Sequence, residues 1–360
     1  MSLPLTTASG KTIQKLIYGT AYKQWRTRRL LGQALRIGYR SIDTGNWRMF
    51  SLPFPTQNIT NSRHLVKNFL ENYTGLALTQ TEIPRGDLFL QSKFVSLPHH
   101  KPYLPPYPAY EGPNADEACE LSFYLSLQNL QTNYLDAFLI NAPDLTPESL
   151  LSLLEVLQKL KSKGFVRYTG ICNIATVEVL QTLHTANPDA LQIVQNPLHS
   201  PWDPDYKIPQ YCRKHGIQYN TFYTLTMSDR LVKHKVVREI ASQRNLTPQQ
   251  IFLQYCVQSD MTPLVGARSE SNLNADVTIA NGDIEPLSKD DLRSVGRLFA
   301  EQAIINHHRR VLLLDRQERE AKRKRGERAV EVAVDYAVPD AAKYVTRVVR
   351  MKASVELAVL

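Results

Sequence analysis

The sequence predicts an α/β chain folded as a (β/α)8 TIM barrel, and three observations point there. Eight short apolar runs of strand length recur between residues 15 and 267. Most lack clean alternation of apolar and polar residues, which suits a parallel sheet buried on both faces. Helix-like segments separate them, a pattern that either closes a barrel or builds an open doubly wound sheet. No GxGxxG follows the first run, which counts against the open sheet.

In chain order the runs are KLIYG (15–19), YRSID (39–43), LFLQSKF (88–94), LDAFLIN (135–141), YTGIC (168–172), LQIVQN (191–196), IQYNTFYTL (217–225) and TPLVGA (262–267). Between them, ESLLSLLEVLQKLKSKG (148–164) has apolar residues at helical spacing, acid early, Lys late and Gly at the stop. DEACELSFYLSLQNLQ (116–131), ATVEVLQTLHTANP (175–188) and DPDYKIPQYCRKHG (203–216) are of the same kind, the last expected to be interrupted at Pro209. A barrel of this class puts its chemistry at the C-terminal ends of the strands. That selects Asp43, Lys93, Asn141, Cys172 with Asn173, Gln192, and the stretch from Phe222 to Leu225.

At 360 residues and 43% hydrophobic, the chain can bury one large core or two modest ones. Cys119, Cys172, Cys212 and Cys256 form no CxxC pair and have no zinc-type spacing, so a reducing compartment fits and neither disulfides nor a metal site are expected. His99-His100 and His307-His308 are isolated pairs that supply no ligand set. The N-terminus lacks the pattern of a signal peptide, and no apolar run approaches the ~20 residues of a membrane helix, so a cytoplasmic, soluble protein is expected. Residues 303–360 carry 13 Lys or Arg against 8 Asp or Glu, a net +5 out of the total +9. The chain therefore divides into a barrel over 1–302 and a basic, helical C-terminal extension over 303–360. Its densest part, EREAKRKRGER (318–328), has no interleaved aromatics for base stacking, so it reads as a solvated helix and nucleic-acid binding is not expected.

The segments GTAYK (19–23), GYRSIDT (38–44), DLFLQSKF (87–94), SLQNLQTNYLDAFLI (126–140), GFVRYTGICN (164–173), QNPL (195–198), YNTFYTLT (219–226) and PLVGARSESNL (263–273) occur in an order that resembles the aldo-keto reductases, most closely a fungal-type branch. The resemblance implies NADP(H) as cofactor and a small-molecule carbonyl as substrate. It also implies hydride transfer with a Tyr phenol as acid, made more acidic by Lys and Asp, and a His orienting the carbonyl. A phenol of pKa ~10 does need an adjacent cation to serve as an acid near neutrality. On this chain Asp43 matches the Asp and Lys93 the Lys, while the His position is Asn141, which can donate a hydrogen bond but cannot become cationic. The Tyr position falls on Arg48, or on Ser51 by the fungal-type spacing, and no Tyr lies between Tyr39 and Tyr73. Trp47 and Phe50 could line a pocket or pack as loop aromatics, and His64 is a lone remnant of the fungal-type pattern.

For the cofactor, the resemblance implies that Cys172 replaces a Ser, that Asn173 and Gln192 bond the nicotinamide carboxamide, and that Phe222, or alternatively Tyr223, stacks under the ring. Gly266 and Arg268 fall in the loop that takes the adenosine phosphate, where a guanidinium forks onto phosphate oxygens. Asn272 stands at a position often basic, and Ala275-Asp276 replaces the Glu-Asn that contacts adenine. Four readings stay open. The chain is a carbonyl reductase with altered chemistry, a cofactor binder without turnover, or an enzyme of changed reaction. Alternatively, residues 45–63 and the tail come from a retained intron or misjoined exon, which sequencing the transcript across codons 40–70 tests. Oligomeric state is not specified by these residues.

Overall fold

The computed structural model describes residues 4–46, 69–95, 115–141, 145–198 and 206–301. Eight parallel strands close a barrel in chain order: β1 (Ile17–Gly19), β2 (Ser41–Asp43), β3 (Phe89–Val95), β4 (Leu135–Asn141), β5 (Val166–Cys172), β6 (Ile193–Pro197), β7 (Gln218–Phe222) and β8 (Met261–Val265). β1 pairs with β8 to complete the ring. All eight expected strands form. The seventh stops early, because Tyr223 takes a left-handed conformation (φ 55°) and the chain then turns into a short helix over Thr224–Met227.

Helices surround the ring: α1 (Thr27–Ile37), α2 (Glu71–Leu78), α3 (Ala115–Leu130), α4 (Pro147–Ser162), α5 (Val177–Ala186), α6 (Lys207–His215), α7 (Thr224–Met227), α8 (Asp229–Val232), α9 (Lys235–Gln243), α10 (Pro248–Gln258) and α11 (Glu270–Asn281). The end signals of α4 work as its sequence suggests. Thr146 accepts a hydrogen bond from the Ser149 N–H, Pro147 opens the helix, and Lys159 and Lys161 sit at the negative end of its dipole. Pro209 does not interrupt α6. It is the third residue of a helix that begins at Lys207, where an N–H would have no intrahelical acceptor to lose.

Alternation along the strands sorts side chains into two cores. Leu90, Phe94, Phe138, Ile140 and Val194 face outward into the layer shared with the helices. Phe89, Ala137, Leu139 and Ile193 face inward, joined by Tyr168 and by Leu5 and Ile13 of an N-terminal turn closed by the Thr6–Thr12 bridge. These apolar residues form the floor of the barrel, so the polar inward residues nearer the strands' C-terminal ends stand above a dry base. β5 and β6 approach closely at Gly170, where a Cβ would lie 1.9 Å from the Ile193 carbonyl oxygen. Only glycine fits there. Near the opposite face, buried Asp136 accepts from Arg85 Nη1 at 2.7 Å, Arg167 Nη1 at 3.0 Å and the Leu90 N–H at 3.0 Å, tying three segments together.

The expected extension at 303–360, the substituted Tyr positions Arg48 and Ser51, and Trp47, Phe50 and His64 lie outside the described residues. Among the described residues no helix is long and apolar enough to cross a membrane.

Candidate active site

A cleft of about 1090 Å³ opens at the C-terminal ends of the strands, the face on which barrels of this class place their chemistry. At one end, Asp43 closes β2 and Lys93 rises from β3, and both are buried. Lys93 Nζ donates to Asp43 Oδ1 at 2.5 Å and to the Thr44 carbonyl at 2.7 Å, so the ammonium is held by a full charge and a backbone dipole. The Phe69 ring centroid lies 4.9 Å from that ammonium, a cation–π contact that further shields the pair. Gly45 makes room for the ring, since a Cβ there would come within 3.1 Å of it.

Beneath the pair runs a polar network. Gln91 Nε2 donates to Asp43 Oδ1 at 2.6 Å and to Gln195 Oε1 at 2.7 Å, while Asn220 Nδ2 donates to Gln91 Oε1 at 3.3 Å. Such a buried network fixes the Asp43 carboxylate from below while Lys93 holds it from the side. Asn141 ends β4, and its Oδ1 accepts from Asn173 Nδ2 at 2.7 Å, leaving its amide hydrogens as the group it can offer a carbonyl. Asn173 tolerates a left-handed backbone (φ 63°) and donates its N–H to the Gln195 carbonyl at 2.9 Å. Burial pushes the Cys172 thiol up to about 12 against the pull of Lys93, so it remains a neutral thiol near pH 7.

The other end is built on β1, the loop after β8 and α11. Arg268 Nη2 donates to the Tyr22 carbonyl at 2.9 Å, and Tyr18 Oη donates to the Ala267 carbonyl at 3.2 Å, which together pin the loop. Lys23 is buried with its Nζ 2.5 Å from the Gly19 carbonyl. Burial, reinforced by the Arg268 charge, holds its pKa down to about 7. The Tyr22 and Tyr223 hydroxyls hydrogen-bond to each other and their rings stack at 6.3 Å, joining the first and seventh loops across the cleft. Ser269 caps α11 by accepting from the Asn272 N–H, and Asp276 of that helix reaches the cleft wall.

Nine of the ten residues singled out from sequence line this cleft: Asp43, Lys93, Asn141, Cys172, Asn173, Phe222, Gly266, Arg268 and Asp276. Gln192 does not. It precedes β6 at the N-terminal side, where its Oε1 accepts from Lys161 Nζ at 2.7 Å and from the Thr169 N–H at 3.3 Å. Three residues of strand separate it from Gln195 by ~10 Å, and an odd offset also reverses the face. Gln195 is the glutamine in the cleft. Parity with the inward-facing Ile193 is the signal that identifies it. Gln91, Phe69, Tyr22 and Lys23 were likewise unassigned; Gln91 shares the parity of Lys93, whereas Phe69 carries no local signal because it reaches the site through tertiary packing.

The sequence profile of the aldo/keto reductase family matches residues 15–298. The chain belongs to this family. Among curated relatives, it is 25% identical to methylglyoxal reductase DkgB of Escherichia coli over 76% of this chain and 88% of that one. An uncharacterised oxidoreductase of Schizosaccharomyces pombe is 23% identical over 78% and 87% of the two chains, and glyoxal reductase of Bacillus subtilis 24% over 75% and 83%. The barrel superposes on an aldo/keto reductase from Brucella melitensis with a TM-score of 0.60 at 20% identity, covering 82% and 98% of the chains. With bacterial and fungal proteins both among the relatives, membership is stated for the family and not for a fungal-type branch.

The aldo/keto reductase cleft suits a nicotinamide dinucleotide on its own chemistry. Its volume reaches the upper end of the range for small-molecule sites. Amides of Asn173 and Gln195 stand near the Asp43–Lys93 end, the Phe222 ring offers an aromatic face, and the Arg268 guanidinium stands at the opposite end.

Proposed function

We propose that this aldo/keto reductase binds NADP(H) and reduces the carbonyl of a small molecule, slowly for its family. The observation that carries the reading is the buried Asp43–Lys93 pair, opening beside Asn141 into a cleft of about 1090 Å³ that extends to Arg268. Relatives named for methylglyoxal, for glyoxal and, in Saccharomyces cerevisiae, for glycerol with NADP(+) support small oxygenated substrates and this cofactor. When bound, the cofactor supplies the hydride.

The chain's own residues do the rest. Asn173 and Gln195 orient the carboxamide, Phe222 stacks on the ring, and Arg268 takes a phosphate at the far end. Asn141 donates a hydrogen bond to the substrate oxygen. The Lys93 ammonium stabilises the developing oxyanion. With Arg48 and Ser51 at the acid positions, no phenol is delivered where the family places it, and proton transfer falls to Lys93 or to water. A positioned general acid is worth typically 10²–10⁴-fold, which sets the deficit expected of this chain. A cytoplasmic setting accords with four free cysteines.

Arg48 and Ser51 also favour a second reading, a cofactor binder that does not turn over. Fluorescence titration with NADPH, followed by assay of methylglyoxal and aromatic aldehydes, separates the two. Saturable binding with NADPH consumption supports the reductase. Binding alone supports the second reading, and no binding defeats both.

A further inference from the structure

Charge in this chain is concentrated at its start. The first 42 residues hold eight Lys or Arg and no Asp or Glu, so Asp43 is the first acid. Five of those cations, Lys11, Arg28, Arg29, Arg36 and Arg40, line a groove of about 1120 Å³ between α1 and α2 that shares no lining residue with the cleft. Two carboxylates line it with them, Glu82 and Asp87, and Asp87 is already taken by Lys11 Nζ at 2.8 Å. Arg40 Nη1 donates to the Leu35 and Tyr39 carbonyls at 2.9 and 2.8 Å. Arg28 Nε donates to Gln80 Oε1 at 2.9 Å, a bond that ties the two walls together. Arg29 and Arg36 stay exposed, and among the described residues neither meets an acceptor. They stand two turns apart, about 10 Å along the helix.

The stability of α1 does not account for these cations. Its first turn carries no acid and holds Arg28 and Arg29, the sign of charge that a helix dipole disfavours at that end. Trp25 lines the same groove and is 64% exposed, with the Arg26 guanidinium 5.2 Å from its ring centre. Trp is highly buried on average in folded proteins, so an indole left this open has apolar surface to cover. Tyr73 adds a second aromatic from α2. A basic face alone is ordinarily a solvated one. A basic groove with an open indole in it offers two kinds of contact at once.

Which polyanion fits follows from that pairing. Guanidinium groups spaced along a groove suit successive phosphates, and an open indole suits the face of an unpaired base. A flat bilayer does not enter a groove, an acidic peptide brings no base to lay on the ring, and the bases of a duplex are already stacked on one another. We propose that the groove between α1 and α2 binds single-stranded nucleic acid, with Arg29 and Arg36 on phosphates and Trp25 under a base. Sequence separates this site from the basic run of the tail. EREAKRKRGER (318–328) has no aromatic among its cations, whereas KQWRTRR (23–29) places Trp25 beside Arg26, Arg28 and Arg29.

The test uses the full chain and a fluorescently labelled oligouridylate of about 12 nucleotides, with binding followed by anisotropy from about 50 to about 200 mM salt. Circular dichroism confirms the fold of each variant. Every phosphate contact adds about 0.7 to the slope of log affinity against log salt for a single strand. The double variant Arg29→Ala, Arg36→Ala should therefore flatten the slope by about 1.4. Trp25→Ala should weaken binding about tenfold at each salt concentration and leave the slope as it is. Phosphatidylserine vesicles and dextran sulfate serve as the rival polyanions, and neither should depend on Trp25. Four results overturn the proposal. The oligonucleotide fails to bind at low salt, or the double variant keeps the native slope, which moves the contact to the tail. Trp25→Ala binds like the native chain, which leaves charge alone, or the vesicles bind more tightly than the oligonucleotide and lose that binding in Trp25→Ala. Because groove and cleft share no residue, each of these leaves the NADP(H) reading standing.

Discussion

Asp43 and Lys93 show how much a single residue's environment decides. Each is unremarkable at an exposed strand end; buried together they hold a charge pair that a lone substitution cannot leave intact. Replacing Asp43 with Ala strands the ammonium against Phe69, and urea unfolding should show a loss of about 3 kcal/mol. Asp276 makes the opposite case, a carboxyl buried without compensation. Its folded pKa of about 7 lies above the ~3.9 of an unfolded Asp, so between those values the folded chain holds more protons and stability falls as pH rises. Asp276→Asn should therefore stabilise the ligand-free chain at pH 8, by of order 2 kcal/mol, with no gain near pH 3. Both strand-end residues were legible because acids and amines at the ends of buried runs stand out in sequence. Gln192 and Gln195 are both glutamines in one run, and only the strand register tells which of them faces the cleft.

At the scale of elements, the turns and caps were readable where chemistry is local and unreadable where it is not. The α4 boundaries followed from Thr146, Pro147 and the late lysines, and the last β7 residues were lost to a left-handed Tyr that no propensity foretells. Pro209 leaves α6 whole because it falls in the first turn, and where the helix begins is not a local property of the proline. Gly170 is a long-range constraint of the same sort, dictated by a carbonyl of the neighbouring strand. Gly170→Ala should destabilise by about 3 kcal/mol or prevent folding, since β5 and β6 must part to admit a methyl group; thermal unfolding reads the loss directly. On α10, Thr247 and Gln250 form a reciprocal capping box, and Thr247→Ala should lower stability by about 1 kcal/mol.

For the molecule as a whole, the barrel keeps stability and chemistry on opposite faces. The strand order was legible from eight buried runs, while the phenol that the family sequence pattern leads one to expect falls on Arg48 or Ser51, outside the described residues. Asp136 and its two arginines belong to the face away from the cleft. Asp136→Ala should lower stability by about 3 kcal/mol while leaving NADPH affinity unchanged, which parallel unfolding and titration would show. The reductase reading stands on the other face and on one side chain above all. The most direct measurement compares NADPH consumption with methylglyoxal by the native chain and by Lys93→Met, with NADPH affinity determined on the same samples. A rate that falls about 100-fold or more while affinity stays within about threefold is the expected result. A rate that Lys93→Met leaves unchanged contradicts the assignment of this cleft as the site of reduction.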